Sequence, residues 1–265
     1  MSCLLHLSDT HFGTERPEVC EALLGLAHKL KPEVIVLSGD ITQDATQAQF
    51  RAAAQFVQQL PRAALLALPG DHDLPTSPLT SRLLSPYRRY CQMFGNDLEP
   101  SLDLPGWQLT TVDSTRRWRQ RHGTLSSTQT SRVARRLQQA HPGDWRIVVT
   151  HHPLVVNRPE DAVDRPWGHA RALECWSAAG MDVVLGGHTH TPFVAAAPLV
   201  AANGHCSWLV QTGTAVSRRT RHGLPNSVTL LAQSDHTKQR QRLVARWDYS
   251  HHLGCFVESE RRQLS

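Results

Sequence analysis

Residues 31–44, KPEVIVLSGDITQD, hold the stretch whose reading decides the fold. Val34–Ser38 is apolar without polar alternation, the habit of a strand covered on both faces, as in parallel sheets flanked by helices. Gly39-Asp40 follows at once. Upstream, Cys3–Ser8 reads as a strand. Pro17–Leu30 reads as a helix with Leu23, Leu24, Leu26 and Leu30 on one stripe, stopped by Pro32. Downstream, an Ala/Gln-rich helix over Ala45–Leu60 leads into a strand at Ala63–Leu68, broken at Pro69-Gly70. Short apolar strands alternating with helices imply an α/β fold with a largely parallel sheet.

The pattern continues through the chain. One or two helices are expected around Leu79–Phe94, with a strand at Gln108–Val112. Ser126 and Gln129 have capping-box spacing and open a helix to about Ala140. Arg146–Thr150 is a predicted strand, Trp167–Ala179 a helix and Met181–Leu185 a strand. Phe193–Ala197, Cys206–Thr212, Val228–Ala232 and Leu243–Trp247 are expected as antiparallel strands that finish the sheets. No linker, repeat or low-complexity tract interrupts the 265 residues, so residues 1–265 read as one domain.

Composition narrows the function classes only a little. Six cysteines without a C-x-x-C pair argue against a zinc ribbon or disulfide scaffold, and predict a cytoplasmic protein with reduced thiols. No run of about 20 apolar residues predicts a membrane helix, and the N-terminus lacks the features of a signal peptide; no membrane partner is expected. The formal charge of +5 suits an anionic ligand. Nucleic acid is a less favoured partner than a small molecule, because Trp118 is the only aromatic near the first of two arginine runs, Arg116–His122 and Arg218–His222. Nothing bears on oligomeric state.

Five short clusters carry the chemistry: Asp9-Thr-His11, Gly39-Asp40, Gly70-Asp71-His72-Asp73, His151-His152 and Gly187-His188-Thr-His190. Four of the five follow directly on an apolar run, and sites in α/β sheets form outside the carboxyl ends of strands. In an extended segment, residues i and i+2 share a side, which pairs Asp9 with His11 and His188 with His190. Each cluster alone is ordinary turn chemistry. Together, carboxylates and imidazoles without thiolate suit Zn, Fe or Mn. Asp9, His11, Asp40, Asp71, His151, His188 and His190 make seven candidate ligands, which suit two divalent ions about 3.5–4 Å apart, sharing one carboxylate.

The order D-x-H, G-D, G-N-H-D/E, H, G-H-x-H resembles the signature of the calcineurin-like metallophosphoesterases. The chain is similar in particular to the branch of bacterial cyclic-nucleotide phosphodiesterases, through Leu-Ser-Asp-Thr-His, Gly-Asp-Ile-Thr and His-His-Pro. The resemblance implies a four-layer αββα sandwich with a dimetal site at one sheet edge. One ion would be held by Asp9, His11, Asp40 and His190, the other by Asp40, Asp71, His151 and His188. It implies a phosphodiesterase acting on a small phosphoester such as a cyclic nucleotide, by in-line attack of a metal-bridging hydroxide. His72 would contact the phosphoryl group or protonate the leaving oxygen, and Asp73 is expected to orient His72.

The family has Asn where this chain has Asp71. The added negative charge is expected to hold cations tighter, and to dampen their Lewis acidity. A low-activity or non-catalytic metal-binding member is therefore one alternative, and a nuclease is the other. Purple acid phosphatases, with Tyr where this chain has Gln43, and protein Ser/Thr phosphatases, with an extended G-D-x-x-D-R-G, match less well. His152 is expected beside the ligands or facing substrate. Two arginine runs follow strands, and Arg117, Arg119, Arg218 and Arg219 are their candidate substrate contacts.

Overall fold

The computed structural model describes residues 2–76, 79–118, 121–200, 205–234 and 241–264. Their strands form two six-stranded sheets. β1 (Ser2–Leu7), β2 (Val34–Ser38) and β3 (Ala64–Leu68) run parallel, and β10 (Ser227–Ser234), β11 (Gln241–Ser250) and β12 (Cys255–Leu264) extend that sheet antiparallel from β1. The second sheet has the order β4 (Ser101–Leu104), β5 (Trp107–Val112), β6 (Trp145–Thr150), β7 (Val183–Gly186), β9 (Cys206–Gln211), β8 (Phe193–Val200).

Strand alternation explains the layers. Leu4, Val34, Val36 and Leu66 point towards the second sheet and pack against Leu109, Ile147, Val149 and Leu185. Their neighbours Leu5, Leu7, Ile35 and Leu37 point the other way. They meet the apolar stripes of α1 (Pro17–Leu30) and α2 (Gln47–Gln59), through Val19, Leu23, Phe50 and Phe56. On the far side, Val112, Val148, Val184 and Leu209 bury α5 (Ser127–Leu137) and α6 (His169–Ala178), through Val133, Leu137, Leu173 and Trp176. Helix, sheet, sheet, helix is the αββα sandwich. Two short helices, α3 (Leu79–Leu84) and α4 (Arg88–Phe94), fill the expected middle segment.

Capping sets the helix starts. Ser126 accepts from the backbone N–H of Gln129, and the Gln129 side chain returns to Ser126. Thr46 and Gln49 make the same pair ahead of α2, so that helix starts at Gln47, later than Ala45. The expectation of uniformly antiparallel late strands fails at β9. The chain leaves β7, makes β8 at the sheet edge and turns back, so β9 enters beside β7 in parallel. No helix among the described residues is long and apolar enough to cross a membrane.

Candidate metal centre

The carboxyl ends of β1, β2, β3, β6 and β7 reach one edge of the sandwich, and each strand delivers one or two of the clustered residues. The backbone then turns sharply. Asp9, His11, Asp40, His188 and His190 all have φ between 41° and 71°, a left-handed conformation that costs a non-glycine residue about 1–3 kcal/mol. The pairs Asp9/His11 and His188/His190 therefore converge through left-handed turns, and not through the extended i, i+2 alternation expected from sequence.

Hydrogen bonds lock these turns. Asp9 N–H donates to Gly39 O (3.0 Å), and His11 N–H donates to Asp40 O (2.9 Å). Close packing dictates the glycines. A Cβ on Gly39, whose φ is +91°, would lie 2.6 Å from His151 Nδ1, and one on Gly187 would collide with Ser8 and Asp9.

Two groups of potential ligand atoms result. Asp9, His11, Asp40 and His190 form one, Asp40, Asp71, His151 and His188 the other, with the ligand atoms of each group within 4.8 Å of one another. In the first, His190 Nε2 lies 3.1 Å from Asp9 Oδ1, and His11 Nε2 lies 3.5 Å from Asp40 Oδ2. In the second, His151 Nε2 lies 3.3 Å from Asp40 Oδ1 and 3.2 Å from Asp71 Oδ1, with His188 Nδ1 3.0 Å from the same Asp71 oxygen. Asp40 thus turns one oxygen to each group. All seven residues gather at this edge, six of them buried and Asp71 half-buried.

The donor chemistry fits cations. His151 directs Nδ1 to Ser38 O at 2.8 Å, and His190 directs Nδ1 to Arg219 O. A ring nitrogen that donates to a carbonyl leaves the other nitrogen as a bare lone pair. Accordingly His190 Nε2 faces His11 Nε2 at 3.2 Å, where a cation would satisfy both rings. Electrostatics point the same way. Burial opposes a charged His188, yet the Asp71 carboxylate lifts its pKa to about 9. Burial likewise opposes charge on His151, but Asp40, Asp71 and Asp9 hold it well above the usual imidazole range. Burial alone would raise Asp40, and Asp71 adds to that, but His151 and His11 hold its carboxyl at about 2. Three carboxylates here demand positive charge.

The remaining expected residues divide. His72 reaches the cluster. Its backbone N–H donates to Asp40 Oδ1 (2.9 Å), Nδ1 lies 2.8 Å from Gln43 O, and Nε2 lies 2.9 Å from Arg219 Nη1. Asp73 does not orient His72, which corrects the sequence reading. The tight turn over Asp71–Asp73 sends its buried carboxylate inward, where it accepts from Gly70 N (2.9 Å), Ile41 N (3.0 Å), Thr42 N (2.8 Å) and Thr42 Oγ1 (2.9 Å). Burial, with the charge of Asp40, pushes its pKa up to about 6.

His152 is also corrected as a substrate contact. It is buried, with Nδ1 2.7 Å from Ser114 Oγ and Nε2 3.2 Å from Arg121 O, so neither nitrogen is left to face a ligand. Burial lowers its pKa to about 3, which keeps the ring neutral.

Beside the cluster opens a cavity of about 280 Å³, lined by Asp40, Asp71, His72, His188, His190, Thr76 and four arginines: Arg82, Arg121, Arg219 and Arg221. Among the described arginines expected to meet substrate, only Arg219 is there. Arg117 instead lies over the Trp118 ring and donates to Leu83 O, and Arg218 is exposed outside the cavity. Arg119 lies outside the described residues. Arg121 and Arg221 belong to the runs noted in the sequence, but a run does not reveal which member turns inward. Asp164 gave no signal at all. Its carboxylate pairs with Arg121 Nε (2.8 Å) and approaches His188 Nε2 (3.7 Å).

Residues 4–192 match the family model of the calcineurin-like phosphoesterases. The chain belongs to that family. Among relatives of this calcineurin-like phosphoesterase is the 3',5'-cyclic adenosine monophosphate phosphodiesterase CpdA of Escherichia coli K12, 28% identical over 168 residues. That match spans 57% of this chain and 55% of the relative, so about half of the relative's length is matched. Among solved structures, the purple acid phosphatase PPD1 of yellow lupin (Lupinus luteus) superposes with a TM-score of 0.72 at 14% identity, over 98% of this chain and 53% of that one. A dimetal phosphatase from Danio rerio gives 0.66 at 13% identity, over 100% and 98%. At these identities the two structures speak for the fold of the calcineurin-like phosphoesterase and not for its substrate.

Proposed function

We propose that this chain is a metal-dependent phosphodiesterase for a small phosphoester, a cyclic nucleotide being the leading class. The observation that carries the reading is Asp40, whose two carboxylate oxygens face two separate ligand groups. Asp9, His11, Asp40 and His190 would hold one divalent ion, and Asp40, Asp71, His151 and His188 the other. When bound, such a pair supplies a water acidic enough to ionise near neutral pH and positive charge against the phosphoryl oxygens. The similarity to CpdA supports a diester over a monoester.

The chain's own residues do the rest. A phosphoryl group bound in the cavity would lie between the ligand cluster and His72, whose backbone N–H donates to Asp40 at the cluster's edge. With Nδ1 donating to Gln43 O, His72 has Nε2 to serve the leaving oxygen, and Arg219 now donates to that atom. For His72 to deliver a proton from Nε2, Arg219 must turn from the ring and Nε2 must first take up a proton from water, and a substrate anion is the natural alternative acceptor for Arg219.

Hydrolysis of bis-p-nitrophenyl phosphate, p-nitrophenyl phosphate and 3',5'-cyclic AMP by Mn²⁺-loaded protein tests the proposal. Turnover of the diester substrates above the monoester supports it. Metal uptake without turnover of any of the three refutes it in favour of a binding protein.

A further inference from the structure

Two of the four cavity arginines are already accounted for by protein groups. Arg121 is paired with the Asp164 carboxylate, and Arg82 donates to the carbonyls of Leu74, Pro75 and Arg117. Arg219 and Arg221 differ. Arg219 touches Gln43 Oε1 (3.0 Å), His72 Nε2 and His11 Nδ1 (3.4 Å), and has no carboxylate partner among the described residues. Arg221 is half-buried, and its side chain has no partner among the described residues.

Both stand on the loop between β9 and β10, which is pinned to the ligand cluster. Thr214 Oγ1 donates to Asp9 O (2.6 Å), Ala215 N–H to Ser8 O (3.0 Å), Arg218 N–H to Thr14 O (2.9 Å), and Asn226 Nδ2 to Ser217 O (2.8 Å). The Arg219 carbonyl itself receives His190 Nδ1. The backbone that presents Arg219 is therefore fixed, and Arg221 follows two residues on.

Two divalent ions would more than neutralise the carboxylates of Asp9, Asp40 and Asp71, and two arginines without a carboxylate partner beside that centre then favour an anion among them. A singly charged diester would already be met by the two ions when bound. We propose that Arg219 and Arg221 form a subsite for a second phosphate-class anion, carried on the leaving-group arm of the substrate. The side is set by contact, because Arg219 lies 2.9 Å from the His72 nitrogen assigned to the leaving oxygen. A planar guanidinium matches phosphate oxygens two at a time, which suits this role better than a lysine would. The subsite extends the substrate class beyond plain cyclic nucleotides, to phosphodiesters whose leaving alcohol is itself phosphorylated. This inference rests on the phosphodiesterase reading above.

Calorimetric binding of propylphosphonate and of a propylene-spaced diphosphonate to Mn²⁺-loaded protein tests it. The wild type binds the diphosphonate more tightly by about tenfold or more. Arg221→Gln brings the two ligands within about twofold, and Arg221→Lys restores part of the gap. Circular dichroism establishes that each variant is folded. Equal affinities in a wild-type protein that still hydrolyses bis-p-nitrophenyl phosphate overturn the subsite alone. A gap that persists in both Arg219→Gln and Arg221→Gln also overturns it, since the metals then carry the preference. No hydrolysis and no binding of either probe overturns the phosphodiesterase reading beneath it.

Discussion

Replacing Asp73 by Ala separates two roles that adjacent residues suggest and geometry distinguishes. The carboxylate is 1% exposed and accepts four hydrogen bonds, three of them from backbone N–H groups of the Asp40 and Asp71 loops. Ala leaves those donors buried without an acceptor, at about 1–3 kcal/mol each; the Thr42 hydroxyl can rotate and costs less. Partial relaxation brings the total to about 3–5 kcal/mol, near the upper end for a single substitution. For a chain of this size that is a fall in Tm of about 10 °C. Asp73→Asn keeps one acceptor oxygen and falls between. The assay is a thermal melt of metal-free protein, followed by kcat on bis-p-nitrophenyl phosphate below the transition. A Tm within about 1 °C of wild type, together with a large loss of kcat, would refute the reasoning and return Asp73 to a role in aligning His72.

Three further outcomes are expected. Asp71→Asn removes one of three carboxylates that would face the two proposed divalent ions, so metal binding weakens while kcat rises; kcat and Mn²⁺ affinity measured together check this, and a fall in both contradicts it. Asp164→Asn breaks the carboxylate contact with His188 and weakens the second metal by about 10–100-fold in a Mn²⁺ titration, whereas unchanged affinity assigns Asp164 to Arg121 alone. His6 is wholly buried, and burial lowers its pKa from 6.5 to about 3. The unfolded chain therefore takes up a proton that the folded chain refuses between those values, and stability is full above pH 6.5 and lost as pH falls. About 2 kcal/mol of that loss accrues by about pH 5. Urea melts at about pH 7 and about pH 5 should show a shallower pH dependence for His6→Gln than for wild type, and parallel behaviour contradicts the assignment.

Much of this was legible in the chain because the decisive residues sit at strand ends. Val34–Ser38 declares a strand buried on both faces, and whatever follows it must emerge at the sheet edge; Asp9, Asp71 and His151 emerge by the same logic. Conformation was less legible. The left-handed turns at Asp9, Asp40 and His188 leave no mark in composition, because hydrogen bonds from distant loops impose them. Neighbours in sequence also part company. His151 faces the cluster while His152 packs beneath it, and Asp71 faces out while Asp73 turns in, since one residue reverses direction in a tight turn. Long-range pairs such as Asp164 with His188 have no local pattern. β12 gives little signal in sequence, because its outer face is charged and Cys255–Leu264 shows little apolar periodicity.

Asp40 joins the two ligand groups, one carboxylate oxygen to each. Elemental analysis of protein saturated with Mn²⁺ and freed of excess tests that directly. Wild type should retain about two ions per chain and Asp40→Ala at most one, both folded by circular dichroism. Two ions retained by the Asp40→Ala protein, or fewer than two by the wild type, would contradict a dimetal centre built around that carboxylate.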